Sequence, residues 1–213
     1  MKSSSIPGYY PLYFVTDHDL NGGRTKLWVI EEALKGGLKL IQFRDKVLSD
    51  VDFEAEALSA LELCKHHHAT LIVNDRVEIA HRIGAHGVHL GQEDMHPRTA
   101  REILGEGATI GLSTHNEKEI MAANQFPLTY INIGPLFPTQ TKEHLQTLGM
   151  EEVLRLSKIS AFPWTTMGGI KKHHLSDLFE RGVKTVGMVT EISLAQQVGK
   201  VVQELLTEII TAH

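Results

Sequence analysis

One cysteine, Cys64, in 213 residues leaves no partner for an intramolecular disulfide and fits a reducing compartment. No apolar stretch approaches the ~20 residues of a membrane-spanning helix. No long apolar segment follows Met1-Lys2-Ser3-Ser4-Ser5, which points away from a secretory signal and toward a cytoplasmic protein. Basic residues never run beyond short pairs such as Lys171-Lys172, and the formal net charge is -5. That argues against nucleic acid as the main partner, while leaving room for a local anion site. Nor does any linker, low-complexity tract or charge block divide the chain. A hydrophobic share of 42% and a charged share of 22% are those of an ordinary globular protein with a substantial core.

What is present is an alternation. Strand-like apolar runs fall at residues 12–16, 38–43, 70–73, 87–90, 108–112, 130–133, 164–167 and 185–189. Helical periodicity fills the gaps. Leu27, Ile30 and Leu34 make one stripe, closed by Gly36-Gly37; Phe53, Ala57, Leu61 and Cys64 make another. Leu194, Val198, Val201, Leu205 and Ile209 make a longer one. Eight strand–helix units point to a parallel sheet. In a chain somewhat shorter than the usual ~250 residues they suit a single α/β domain, a (β/α)8 TIM barrel over residues 1–213 with 1–10 as an N-terminal extension. A doubly wound open sheet is the alternative, but no G-x-G-x-x-G follows the first strand-like run.

Barrels bind ligands at the C-terminal ends of their strands. After the second run come Gln42, Arg44, Asp45 and Lys46; after the third, Asn74, Asp75 and Arg76; after the fourth, Gly91, Gln92, Glu93 and Asp94. Ser113, Thr114 and His115 follow the fifth, and Gly168-Gly169 the seventh. The eighth leads to Thr190, Glu191 and Ser193. The sixth opens into Gly134-Pro135-Leu136-Phe137-Pro138-Thr139-Gln140-Thr141-Lys142, a loop with two hydroxyls and a lysine suited to an anion. Arg44, Lys46 and Lys142 can neutralise phosphate oxygens, Arg44 bidentately. Asp75 and Asp94 are hard oxygen ligands of the kind Mg²⁺ takes together with phosphate. Asp94 also has a bland reading as a helix N-cap ahead of Pro97. The glycine pair resembles the barrel's usual phosphate cradle.

Other features carry less. His66-His67-His68 cannot share one helical face and suits a solvated helix end. His89 reads as a packed core histidine, Cys64 as core rather than nucleophile, and His173-His174 as exposed loop. Ser113 and His115 lack the third member of a hydrolase triad.

Taken in order, Gln42-Phe43-Arg44-Asp45-Lys46, Val73-Asn74-Asp75-Arg76, the run from Gly87 to Asp94, Gly111-Leu112-Ser113-Thr114-His115, the loop from Gly134 and Gly168-Gly169-Ile170 resemble the thiamine-phosphate synthase (thiamine-phosphate pyrophosphorylase) family over nearly the whole chain. The resemblance implies a (β/α)8 barrel that joins hydroxymethylpyrimidine diphosphate to a thiazole phosphate with Mg²⁺ as cofactor, by dissociative loss of pyrophosphate. It implies that Gln42, Phe43, Arg44, Asp45, Lys46, Asn74, Ser113 and Lys142 hold the pyrimidine diphosphate. Arg44, Lys46, Ser113 and Lys142 would act in catalysis. Asp75 and Asp94 would hold the metal. Thr139, Gln140, Thr141, Gly169, Val189 and Thr190 would hold the thiazole phosphate. The expected partners are these small molecules, and a homo-oligomer is left open.

Two positions depart from the family pattern. A small Ser-Ala pair is usual where this chain has Thr190-Glu191, and a carboxylate aimed at phosphate would repel it. Glu191 is therefore expected to turn toward a basic neighbour or the first turn of the last helix. Met167 is bulkier than expected beside a ligand. Rival readings are a related thiazole tautomerase, which usually has a histidine after the sixth strand where this chain has Gly134-Pro135, and a non-catalytic binder of thiamine phosphate or its precursors. A phosphate-handling barrel of tryptophan synthesis is a third, and the Asn74-Asp75 and Thr139–Lys142 motifs argue against it.

Overall fold

Branched and aromatic residues build eight short strands: β1 (Leu12–Val15), β2 (Leu40–Phe43), β3 (Thr70–Asn74), β4 (Gly87–Leu90), β5 (Thr109–Thr114), β6 (Tyr130–Ile133), β7 (Trp164–Met167) and β8 (Val186–Met188). The helices are α1 (Lys26–Lys35), α2 (Asp50–His66), α3 (Val77–Ile83), α4 (Pro97–Leu104), α5 (Glu117–Ala123), α6 (Met150–Ser157), α7 (Leu175–Glu180), α8 (Thr190–Ser193) and α9 (Val198–Thr211). This computed structural model describes residues 10–139 and 146–211. Of the expected N-terminal extension only Tyr10 is among them.

All strands run parallel, each paired to the next, and β1 closes on β8 with Phe14 opposite Met188. This is a (β/α)8 barrel, and the open-sheet alternative falls away. The strand period of two divides the core. Outward residues such as Phe14, Ile41, Phe43 and Val73 pack under the helices in one large cluster. Inward, Tyr13, Leu40, Ile72 and Tyr130 fill the barrel, with Tyr10 and Met167 against them. Gly111 makes that filling work, because a Cβ there would run into the Tyr130 ring.

Helix starts are written locally. Thr25, Ser49 and Asn116 accept the amides of Trp28, Asp52 and Glu119 to cap α1, α2 and α5. Gly36 ends α1, as the sequence predicts, and its bare face also lets α9 approach: a Cβ there would lie 2.5 Å from the Gly199 carbonyl oxygen. One stripe needs correction. Leu194 is exposed and lies outside α9, whose buried face is Val198, Val202, Leu205 and Ile209. The chain turns between α8 and α9, and Val201 falls one position off the buried face. Among the described residues no helix is long and apolar enough to cross a membrane.

Candidate active site

A chain of hydrogen bonds crosses the barrel beneath its C-terminal mouth. Gln42 Nε2 donates to Tyr13 Oη at 2.8 Å, and Tyr13 Oη lies 3.0 Å from Tyr130 Oη. Tyr130 Oη lies 2.8 Å from His89 Nδ1, and His89 Nε2 lies 2.9 Å from Ser113 Oγ. Burial pushes both phenols well above their ordinary pKa, so they stay protonated. Tyr13 accepts from Gln42 Nε2, and every later link joins two groups that can each donate or accept. His89 is packed in the core as expected, but it also orders Ser113. Tyr130→Phe should cost about 1–3 kcal/mol, because Tyr13 and His89 each lose a partner in a buried site. Urea unfolding measures this; a loss under about 0.5 kcal/mol would mean the chain is not cohesive.

Charged groups ring the mouth above. Lys46 Nζ is paired with Asp75 Oδ2. Asp75 and Asp94 face each other closely enough to hydrogen bond. Burial first, then the Asp94 contact, raises Asp75 to about 6, against the pull of Lys46. Burial opposes ionisation of Asp94 as well, but the Asp75 contact and the Gly91 amide hold it below its usual value. Asp75 sits in the left-handed region at φ 60°, uncommon for a side-chain-bearing residue. Its amide donates to the His89 carbonyl at 3.0 Å, which fixes it there at the edge of β3 and β4. Two facing carboxylates, relieved by one ammonium, are a hard-oxygen donor set that suits a small divalent cation with phosphate. Asp94 is not the N-cap of α4. Its Oδ2 accepts the Gly91 amide at 2.6 Å, while His96 caps the helix.

Arg44 is held by Asp17 at 2.5 Å, and its amide donates to Thr16 Oγ1 at 2.8 Å. Asn74 ends β3, nearly buried, between Lys46 and His89 in the order of the barrel. Across the mouth, the loops after β6 and β7 are zipped: Leu136 N donates to Met167 O at 2.9 Å and Phe137 N to Gly168 O at 3.0 Å. Gly169, at φ 62°, lies so close to Phe137 and Pro138 that a Cβ would collide with the Pro138 carbonyl. Thr139 follows directly. Val189 offers its carbonyl to the amides of Ile192 and Ser193, and Thr190 begins α8. Gln140, Thr141 and Lys142 lie outside the described residues.

Gln42, Arg44, Lys46, Asn74, Asp75, Asp94 and Ser113 thus gather on one side, with Gly169, Val189 and Thr190 on the other. Two expected ligands do not join them. Phe43 is fully buried under α2, edge-on to Phe53 at 5.0 Å. Asp45 is buried too. Its Oδ1 accepts the amides of Val47 and Leu48, both at 2.9 Å, and its Oδ2 takes Lys26 at 2.7 Å and His18 at 2.8 Å. Both alternate with Gln42 and Arg44, so the strand period turns them outward.

Glu191 does turn toward a basic neighbour, Lys171, at 3.2 Å. Met167 is accommodated because Gly187 on β8 has no side chain: a Cβ there would lie 2.8 Å from Met167 Cβ. His115 pairs with Glu119 at 2.8 Å rather than with Ser113. His174 is not exposed loop; it is half-buried against Phe137, ring centres 4.2 Å apart. Sequence reasoning missed Asp17, though the rule of inspecting each strand end, applied to β1, would have found it. It also missed Tyr13 and Tyr130, whose inward positions were readable but whose pairing across the barrel was not.

A model of the family described as thiamine monophosphate synthase matches residues 12–192. The chain is 36% identical over 197 residues to the thiamine-phosphate synthase of Caldicellulosiruptor saccharolyticus, covering 92% of this chain and 89% of that one. To the thiamine-phosphate synthase of Persephonella marina it is 39% identical over 181 residues, 85% of this chain and 87% of that one. The solved thiamine phosphate pyrophosphorylase of Pyrococcus furiosus superposes with a TM-score of 0.88 at 27% identity, over 98% of this chain and 99% of that one. With the family model spanning every strand and relatives matching nearly end to end, the chain belongs to the thiamine monophosphate synthase family, transferases of thiamine biosynthesis.

Proposed function

We propose that this protein joins 4-amino-2-methyl-5-hydroxymethylpyrimidine diphosphate to thiazole phosphate, releasing pyrophosphate and forming thiamine phosphate with Mg²⁺. The observation that carries this reading is the facing pair Asp75 and Asp94 with Lys46 between strands β2 and β4. A carboxylate pair already balanced by a lysine is what a metal–pyrophosphate group can enter by exchange. Held at Asp75 and Asp94, Mg²⁺ would neutralise charge on the departing pyrophosphate. Lys46, given up by Asp75, turns to the phosphate oxygens. Arg44, braced by Asp17, presents its guanidinium beside it. Ser113, held by His89, adds a hydrogen bond.

The electron balance asks little more of the protein. The C–O bond to the diphosphate breaks and its pair leaves with pyrophosphate. The electron-rich aminopyrimidine supports the cationic methylene, and the thiazole nitrogen lone pair closes the new C–N bond. No proton moves, so no general base is needed. Catalysis is positioning and electrostatics. We assign the thiazole phosphate to Gly169, Val189 and Thr190, with Thr139, Gln140, Thr141 and Lys142 as its further ligands.

The test is an assay with both substrates, with and without Mg²⁺. Thiamine phosphate should form only with the metal, and activity should vanish on chelation and return on re-addition. No product at saturating substrate and Mg²⁺ would remove this reading.

A further inference from the structure

The loops after β7 and β8 are joined by charge. Lys171 follows Gly168-Gly169-Ile170, and its Nζ lies 3.0 Å from Thr190 Oγ1 and 3.2 Å from one oxygen of Glu191. The other Glu191 oxygen accepts the backbone N–H of Lys172 at 3.1 Å. Glu191 therefore holds the loop and the ammonium together. The neighbouring Lys172 is drawn away by Glu204 at 2.8 Å, so Lys171 is the member of the pair that meets Thr190. Its side chain is 41% exposed, within reach of a ligand.

We propose that Lys171 is a phosphate-binding residue at the corner between β7 and β8, positioned by Glu191. This rests on the placement of the thiazole phosphate at Gly169 and Thr190 given above, and it names a cation for that end of the site. A hydroxyl and backbone amides are neutral donors, whereas a phosphate ester dianion gains more from charge-assisted bonds. An ammonium already shared between a hydroxyl and a carboxylate can turn to the anion by a small side-chain rotation. It also resolves the cost of a carboxylate beside the phosphate. Glu191 faces the lysine, so the charge next to the ligand is positive and the repulsion is screened where it would be felt.

Lys171→Met keeps the aliphatic stem and removes the charge. KM for thiazole phosphate should rise at least tenfold while KM for the pyrimidine diphosphate stays within twofold, and Lys171→Arg should recover most of the loss. A second measurement needs no turnover. Inorganic phosphate is titrated into ¹⁵N-labelled protein, following the amides of Gly168, Gly169 and Thr190. Wild type should saturate, and Lys171→Met should bind at least tenfold more weakly. Unchanged phosphate affinity in the variant, or no phosphate response in wild type, overturns the proposal. So does a loss falling equally on both substrates or one that arginine does not recover. If wild type makes no thiamine phosphate, the assigned reaction fails, and the phosphate titration still decides the role of Lys171.

Discussion

Asp75→Asn should lower turnover by about 10²-fold or more and raise the Mg²⁺ concentration for half-maximal rate by about 10–100-fold. The size follows from what one carboxylate does in this structure. Asp75 faces Asp94, holds Lys46, and is fixed in a left-handed backbone conformation by its amide bond to the His89 carbonyl. Asparagine keeps the shape and tolerates that conformation, so the fold should survive with an unchanged melting temperature. What it loses is a negative charge. One carboxylate then remains to hold the cation. Lys46 also loses its counter-charge, and it should bind free pyrophosphate more readily while serving the metal-bound form worse. Steady-state rates across a Mg²⁺ titration, beside calorimetry of pyrophosphate without metal, separate these effects. A wild-type rate and a wild-type metal requirement would show that Asp75 is no metal ligand.

Much of the fold is legible in the sequence. A parallel barrel buries each strand on both faces and separates it from the next by a helix, so apolar runs and helical stripes alternate cleanly along the chain. The misjudged strand ends have local causes. Residues 38–43 form one apolar run, but ladder pairing begins only at Leu40, because Leu38 is spent on closing α1 through its amide bond to Ala33. The error at Leu194 has a different source. Periodicity sees only spacing, and neither glycine nor proline marks the turn between α8 and α9. The site was legible in part for a similar reason. Strand ends deliver charges to one rim whatever the tertiary detail, so Arg44, Lys46, Asp75 and Asp94 could be gathered by topology alone. What sits beneath could not. The Tyr13–Tyr130 bond joins residues 117 apart, and its geometry depends on the bare face of Gly111.

The rim reading failed at Asp45 because a motif shows neighbours and not directions. The structure makes that residue a buried keystone, and Asp45→Asn should destabilise the fold by about 3–5 kcal/mol, the range for breaking a buried ion pair from one side. For a domain of this size that is on the order of 10 °C in melting temperature. Burial alone would raise the Asp45 pKa, but the Lys26 ammonium, the Leu48 and Val47 amides and His18 together hold it well below the usual carboxylate range. Lys26, itself nearly buried, is raised despite its own burial, through Asp45 and then Glu56. Asparagine keeps one acceptor for the two amides but leaves Lys26 with Glu56 as its remaining carboxylate at 3.1 Å. The sign with pH follows from the depressed pKa. The ionised form stabilises the fold fully above the unfolded value of about 3.9, and that contribution is lost as pH falls through the folded value. The gap between wild type and variant in urea midpoints should therefore be widest near neutrality and narrow below pH ~4. KM for the pyrimidine diphosphate, measured well below the melting temperature, should stay within about threefold, equivalent to less than ~0.7 kcal/mol. A stable variant with a greatly raised KM would return Asp45 to the substrate, where its place in the motif first put it.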